Sequence, residues 1–189
     1  MRDSLARSDT NTPSGEYRIL VIQGEYVVSD DPNAILTTLL GSCVAACMRD
    51  PVAGVGGLNH FLLPGDDNRS GQMSHGVHAM ELLVNGLLSR GARRDRLEAK
   101  IFGGARMVSG LTDVGRQNGL FAERFLQREK IPILNSSLGG EQARRIQFWP
   151  VSGRVRQLFV EKSTDTLFET ERKRPAPAPP VSSGAVELF

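Results

Sequence analysis

The sequence predicts an α+β domain of mixed or antiparallel β-sheets with two flanking helices. Three observations carry that expectation. Short apolar runs bounded by Gly, Pro or Asp recur along the chain and read as strands. Only two segments carry the longer helical period. The strands cluster before and after those helices, which favours α+β over a doubly wound parallel sheet.

Taken in order, residues 1–16 are polar, carry Pro13, Ser14 and Gly15, and read as a disordered lead. Strands are expected over 18–28, 34–39, 44–49 and 55–63. A helix follows over 74–90, where Val77, Met80, Leu83, Val84, Leu87 and Leu88 form one apolar stripe and Gly91 stands as its stop. After a strand over 97–102, a second helix runs from about 114 to 129, with Asp113 as N-cap and Phe121 and Phe125 one turn apart. Strands over 131–135, 144–149 and 154–160 complete the core. The domain is therefore expected over 17–170. Residues 171–189 open with a charge run, continue with Pro175, Pro177, Pro179 and Pro180, and read as an extended tail with an apolar end, Val186 to Phe189.

A chain of 189 residues fits one such domain with tails. Hydrophobic residues at 40% and charged residues at 23% exclude collagen, wholesale disorder and coiled coil. A formal net charge of +2 gives no reason to expect nucleic acid or an anionic membrane as partner. The first thirty residues lack the apolar region of a secretory signal, and no apolar stretch is long enough to span a bilayer. Two cysteines without an export signal point to a reducing cytoplasm and not to a disulfide framework. No cofactor and no metal are expected, and in the absence of a heptad seam a monomer is the default.

The chemistry gathers around Cys43 and His60. Asp50-Pro51 opens a turn, with Asp at its first position and Pro presetting φ at its second, and Gly54 suits the left-handed residue that closes such a loop. The flanking runs are expected to pair as an antiparallel hairpin. A two-residue loop sets Cys43 directly across from His60, and a four-residue loop makes them diagonal neighbours. Either way they share one face, with Cβ atoms roughly 5 to 8 Å apart. A three-residue loop would put them on opposite faces. A thiol beside an imidazole matters because the ring can take the thiol proton, holding a thiolate, and later protonate a leaving amine. Gly41 and Ser42 leave the sulfur unshielded, and backbone N–H groups there are candidates for an oxyanion hole. Cys47 lies about 13 Å along the same strand, beyond disulfide reach and beyond sharing a zinc ion with Cys43. His75 and His78, one helical turn apart near a helix start, are expected to face solvent.

At these residues the sequence resembles the CheD family, the chemoreceptor glutamine deamidases of bacterial chemotaxis. Leu39-Leu40-Gly41-Ser42-Cys43-Val44-Ala45, Asp50-Pro51 and Gly56-Gly57-Leu58-Asn59-His60-Phe61-Leu62-Leu63-Pro64 look like its signature block. Ala79-Met80-Glu81-Leu82-Leu83, Lys100-Ile101-Phe102-Gly103-Gly104-Ala105-Arg106-Met107, Gly115-Arg116-Gln117-Asn118 and Leu138-Gly139-Gly140 follow in family order, so the resemblance covers roughly residues 18–162. It implies a CheD-like cysteine hydrolase fold, Cys43 as nucleophile, His60 as general base and Thr37 as third catalytic residue, with the adjacent Thr38 ranked second. It further implies deamidation of glutamine side chains on the cytoplasmic helical hairpin of methyl-accepting chemotaxis receptors, without a cofactor, and in some bacteria restraint by a CheC-like phosphatase.

Two departures stand out. Ser136 and Ser137 occupy positions where the family commonly has an acidic residue, and His75 and His78 stand where an aromatic and an acidic residue are expected. Gly103-Gly104 lacks the further glycine spacing of a dinucleotide fingerprint, so close packing or substrate approach is its expected role. Rival readings are a receptor glutamate methylesterase, which uses the same acyl chemistry on an ester, and a non-catalytic adaptor that binds a CheC-like phosphatase.

Overall fold

A computed structural model describes residues 15–63, 69–107 and 114–160. Its strands are β1 (Tyr17–Leu20), β2 (Tyr26–Ser29), β3 (Ala34–Leu40), β4 (Val44–Asp50), β5 (Val55–Phe61), β6 (Glu98–Gly103), β7 (Ile133–Leu138), β8 (Ala143–Phe148) and β9 (Val155–Val160). Helix α1 spans Arg69–Ser89 and α2 spans Val114–Arg128. One sheet has the order β1-β3-β8-β9 and the other β2-β5-β4-β6-β7. Both are mixed: β1 lies parallel to β3, β6 lies parallel to β7, and the remaining pairs are antiparallel. The α+β expectation is met, including the two flanking helices.

The alternation along β4 shows how the layers assemble. Val44, Ala46 and Met48 join Met80, Leu83, Val84 and Leu87 of α1 and Ala122, Phe125 and Leu126 of α2 in one apolar cluster. Ala45 and Cys47 turn the other way and join Leu36, Leu40, Ile146 and Phe148 of the four-stranded sheet in a second. The central strands β4 and β5 of the five-stranded sheet are thus buried on both faces, which is why neither reads as a strict alternation of apolar and polar residues. Phe121 meets Phe61 edge-on at 5.9 Å between ring centroids and Phe125 at 6.3 Å, fixing α2 over the sheet.

The run expected as one strand over 18–28 is two. β1 pairs with β3 in the four-stranded sheet, and β2 pairs with β5 in the five-stranded one. Gly24, at φ 86, turns the chain between them. Smaller differences lie at element ends: α1 begins at Arg69 and not at 74, and β7 runs on through Ser136 and Ser137 to Leu138. Val77, placed in the apolar stripe from sequence, is 36% exposed, while Met80, Leu83, Val84 and Leu87 are fully buried. The chain leaves α1 at Gly91 as expected, with the N–H of Ala92 bonded back to the Leu87 carbonyl. Asp113, the N-cap expectation, residues 1–14 of the lead and the whole tail over 171–189, Val186 to Phe189 included, lie outside the described residues. No helix among the described residues is long and apolar enough to cross a membrane.

Candidate active site

The hairpin between β4 and β5 has the four-residue loop. The Asp50 carboxylate accepts the N–H groups of Val52 at 2.9 Å and Ala53 at 3.0 Å, and Gly54, at φ 67, donates to the Asp50 carbonyl. Ala45 therefore faces His60 and Val44 faces Phe61. Cys43, one residue before β4, becomes the diagonal neighbour of His60 on the face turned toward the other sheet, where it packs against the apolar cluster that Ala45 and Cys47 join. Asp50 is completely buried and also accepts from the Arg93 N–H and the Arg96 guanidinium. Burial opposes its ionisation, but these donors outweigh burial and hold the carboxyl at about 2.

His60 is 2% exposed. Its Nδ1 lies 2.8 Å from Thr38 Oγ1 and 3.5 Å from the Val21 carbonyl oxygen, and Thr38 Oγ1 donates its own proton to that carbonyl at 2.7 Å. With the hydroxyl proton committed to Val21, Thr38 can only accept from the ring. Nδ1 therefore carries the imidazole hydrogen and Nε2 carries the lone pair. Nε2 is buried and has no hydrogen-bond partner among the described residues. Burial, against a smaller opposing effect of the Val21 carbonyl, pulls the imidazole down to about 4, so the ring is neutral near pH 7. An imidazolium–thiolate pair, the expectation from sequence, is therefore not favoured by the ring's own surroundings.

Cys43 sits on a turn held through its carbonyls. Ala105 N–H donates to Gly41 O at 2.8 Å, Asn118 Nδ2 to Ser42 O at 2.8 Å, and Gly104 N–H to Cys43 O at 2.7 Å. Asn118 is fully buried, and its Oδ1 accepts the Leu63 N–H at 2.8 Å, so one amide ties the turn before the sulfur to the chain just beyond His60. A Cβ on Gly103, at φ 114, would lie 2.2 Å from the Cys43 carbonyl oxygen. Of the two roles expected for Gly103-Gly104, close packing is thereby met at Gly103. Cys43 Sγ itself lies 3.4 Å from Gln23 Oε1. Beyond Gly104 opens a cavity of about 420 Å³ lined in part by Arg106, Gly115, Arg116, Gly139 and Gly140.

The other residues singled out from sequence fall as follows. Thr37 is on the opposite face of β3 from Thr38, paired with Leu20 and Gln147, and its carbonyl accepts the Val21 N–H. The His60 contact belongs to Thr38 because β3 turns Leu36, Thr38 and Leu40 toward the other sheet. Cys47 is buried, its thiol is pushed up by burial, and neither cysteine forms a disulfide. His75 and His78 are exposed on α1. No cluster of metal-ligating side chains occurs among the described residues. Gln23 and the bridging role of Asn118 escaped the sequence reading. Asn118 stood inside a family block, whereas only Gly24, marking a turn, signalled Gln23.

The family model described as CheD chemotactic sensory transduction matches residues 62–158. Among curated relatives, a probable chemoreceptor glutamine deamidase CheD of Agrobacterium fabrum is 54% identical over 174 residues, covering 91% of this chain and 96% of its own. One of Caulobacter vibrioides is 56% identical over 180 residues, covering 94% and 96%. One of Caulobacter sp. strain K31 is 57% identical over 175 residues, covering 91% and 93%. The family model starts just past His60, while the relatives extend across nearly the whole chain. By both measures the chain belongs to the CheD family.

Proposed function

We propose that the chain is a protein-glutamine deamidase of chemotaxis receptors, with Cys43 as nucleophile and His60 as the group that moves the protons. The relatives' names supply the activity. The observation that carries the assignment to these residues is the state of His60, whose Nδ1–H is anchored on Thr38 while its buried Nε2 lone pair is bare, on the same face as Cys43.

The chemistry follows from that state. A buried neutral imidazole takes the thiol proton on Nε2 as the sulfur attacks, so the charge separates only when a substrate amide is there to receive it. The C–S bond forms at the carboxamide carbon and negative charge moves to its oxygen. Collapse breaks the C–N bond, and the proton on Nε2 leaves with the nitrogen as ammonia. Water then gives a proton to Nε2 and attacks the thioester. The C–S bond breaks, Cys43 recovers its proton, and the glutamine side chain has become glutamate. Thr38 is the orienting hydroxyl of this scheme. Thr37, the residue the family resemblance selects, acts through its backbone, holding Val21 and with it the carbonyl that Thr38 needs.

The substrate segment we assign is the cytoplasmic helical hairpin of methyl-accepting receptors. The cavity that opens beyond Gly104, whose N–H holds the Cys43 carbonyl, supports it, because glycines among its walls let a folded helix bring its backbone close. A cytoplasmic monomer, restrained by a CheC-like phosphatase where one is present, completes the proposal: the phosphatase is what the family resemblance implies, the cytoplasm follows from two cysteines without an export signal, and the monomer from the lack of a heptad seam. The test incubates receptor cytoplasmic fragments with the protein and maps Gln-to-Glu conversion by mass spectrometry. Cys43→Ala is expected to abolish conversion and Cys47→Ala to keep most of it. Conversion that survives in Cys43→Ala would overturn the mechanism.

A further inference from the structure

The crossing between the two sheets, residues 21–25, is fastened to the His60 site at both ends. Val21 receives Thr38 Oγ1 on its carbonyl and donates its N–H to Thr37. Gly24 N–H donates to the His60 carbonyl at 2.7 Å, and His60 N–H donates to the Glu25 carbonyl at 3.0 Å. Between these clamps stands Gln23, exposed to solvent, with its carboxamide oxygen 3.4 Å from Cys43 Sγ. A long, flexible polar side chain on a solvent-facing turn has the whole solvent available, yet this one lies over the sulfur because its backbone is fixed there.

We propose that Gln23 is an oxyanion donor of the reaction, binding the oxygen of the glutamine carboxamide as Cys43 attacks. This assignment rests on the reading of Cys43 and His60 given above. A carbonyl attacked by sulfur develops its charge on an oxygen on the order of 3 Å from that sulfur, and a useful donor stands about 3 Å from the oxygen. A carboxamide at 3.4 Å from Sγ lies within that reach. A half-turn about Cγ–Cδ presents Nε2–H in place of Oε1, exchanging an acceptor for the resting S–H for a donor to the charged oxygen. Only the amide supplies both. A carboxylate of the same shape would accept from the thiol but repel the oxyanion. The clamped crossing keeps the group in place before substrate arrives, so little ordering is left to the moment of reaction.

The rival role for an amide in this position is that of a substrate in cis, with Cys43 converting Gln23 itself. Mass spectrometry of the protein separates the two, because conversion in cis leaves a glutamate at position 23 in the wild type and an intact Gln23 in Cys43→Ala.

The experiment measures receptor-fragment deamidation and the rate of Cys43 alkylation by iodoacetamide for wild type, Gln23→Ala, Gln23→Glu and Cys43→Ala. Gln23→Ala is expected to lower kcat by about 10²-fold, the scale of one lost oxyanion donor, with KM within about threefold. Gln23→Glu is expected to fall below Gln23→Ala. Alkylation of Gln23→Ala at a rate within about threefold of wild type shows that the nucleophile is intact and the loss belongs to the later charge. Near-wild-type kcat in Gln23→Ala, beside an inactive Cys43→Ala, overturns the Gln23 assignment alone, as does conversion of Gln23 to glutamate in the wild type. Activity in Cys43→Ala overturns the site on which the assignment stands.

Discussion

Thr38 Oγ1 and His60 Nδ1 are 2.8 Å apart, and because the hydroxyl proton is already given to the Val21 carbonyl, the pair has one orientation: the ring donates. A hydroxyl with its own proton spoken for fixes the imidazole tautomer as a carboxylate would, without placing a negative charge beside the ring. Thr38→Ala removes that acceptor and leaves only Val21 O at 3.5 Å. The expected result is a drop in kcat of about 10- to 100-fold, smaller than the loss from Cys43→Ala, with Thr38→Ser retaining most activity. Thr37→Ala keeps its backbone bond to Val21 and is expected to lose less than Thr38→Ala. Steady-state deamidation of receptor fragments checks the ranking, and a larger loss in Thr37→Ala would overturn it.

Adjacent threonines show where the sequence stops being legible. The family resemblance points to a position, but which hydroxyl faces His60 depends on how β3 pairs with β1 and β8, and those partners are distant in sequence. The hairpin holding Cys43 and His60 was legible because its register is set locally, by Asp50, Pro51 and Gly54. The crossing at Gly24 was not. Apolar residues on both sides of it extend one period, and nothing local says that Leu20 joins one sheet while Tyr26 joins another. Reading 18–28 as one strand also hid Gln23, since a residue inside a strand gives no cue that it hangs over another element's sulfur.

The burial of His60 makes stability depend on pH in a stated window. Its folded value, about 4, lies below the ordinary 6.5, so between those values the unfolded chain binds more protons than the folded one. Stability is then full above about pH 6.5 and declines as pH falls toward 4, by up to about 3 kcal/mol. Asp50, held at about 2 against an ordinary 3.8, adds a second loss that begins only below about pH 4 and is complete below pH 2. Urea melts at pH 7, 5.5 and 4.5 are expected to show a falling midpoint in the wild type and a flatter profile in His60→Gln. A wild-type midpoint constant over that range would show that His60 is not held neutral.

Gly103 is the position at which one added methyl group reaches the nucleophile. Its Cβ would stand 2.2 Å from the Cys43 carbonyl oxygen, and its φ of 114 is one that L side chains rarely adopt. Gly103→Ala must push the 41–43 turn off its carbonyl bonds or unpair the end of β6. Either outcome is expected to cost about 2 kcal/mol or more of stability and to reduce deamidation by at least 10²-fold. Gly54→Ala is the control, because its φ is also left-handed, at 67, but a Cβ there meets nothing within 4 Å. It is expected to cost about 1 kcal/mol and to leave kcat near wild type. Equal activity loss in the two variants would assign the effect to backbone strain and not to the contact with Cys43.

Arg144 is 2% exposed, and no carboxylate pairs with it among the described residues. Its guanidinium donates to the Ser137 carbonyl at 2.6 Å, to Ser137 Oγ at 3.0 Å and to the Gly139 carbonyl, and it stacks over Phe159 at 5.3 Å, while Nε has no partner. Burial lowers its pKa. A buried cation held by neutral acceptors keeps part of its desolvation penalty unoffset. Ser137 Oγ already accepts from Nη1, so Ser137→Asp places a counter-charge at that position. It is expected to stabilise the fold by on the order of 1 kcal/mol, raising Tm by a few degrees. The same substitution in an Arg144→Met background places an unpaired carboxylate beside an apolar side chain and is expected to lower Tm. Thermal melts of the two single variants and the double close the cycle. A Tm shift of the same sign and size in both backgrounds would mean that the carboxylate acts on something other than Arg144.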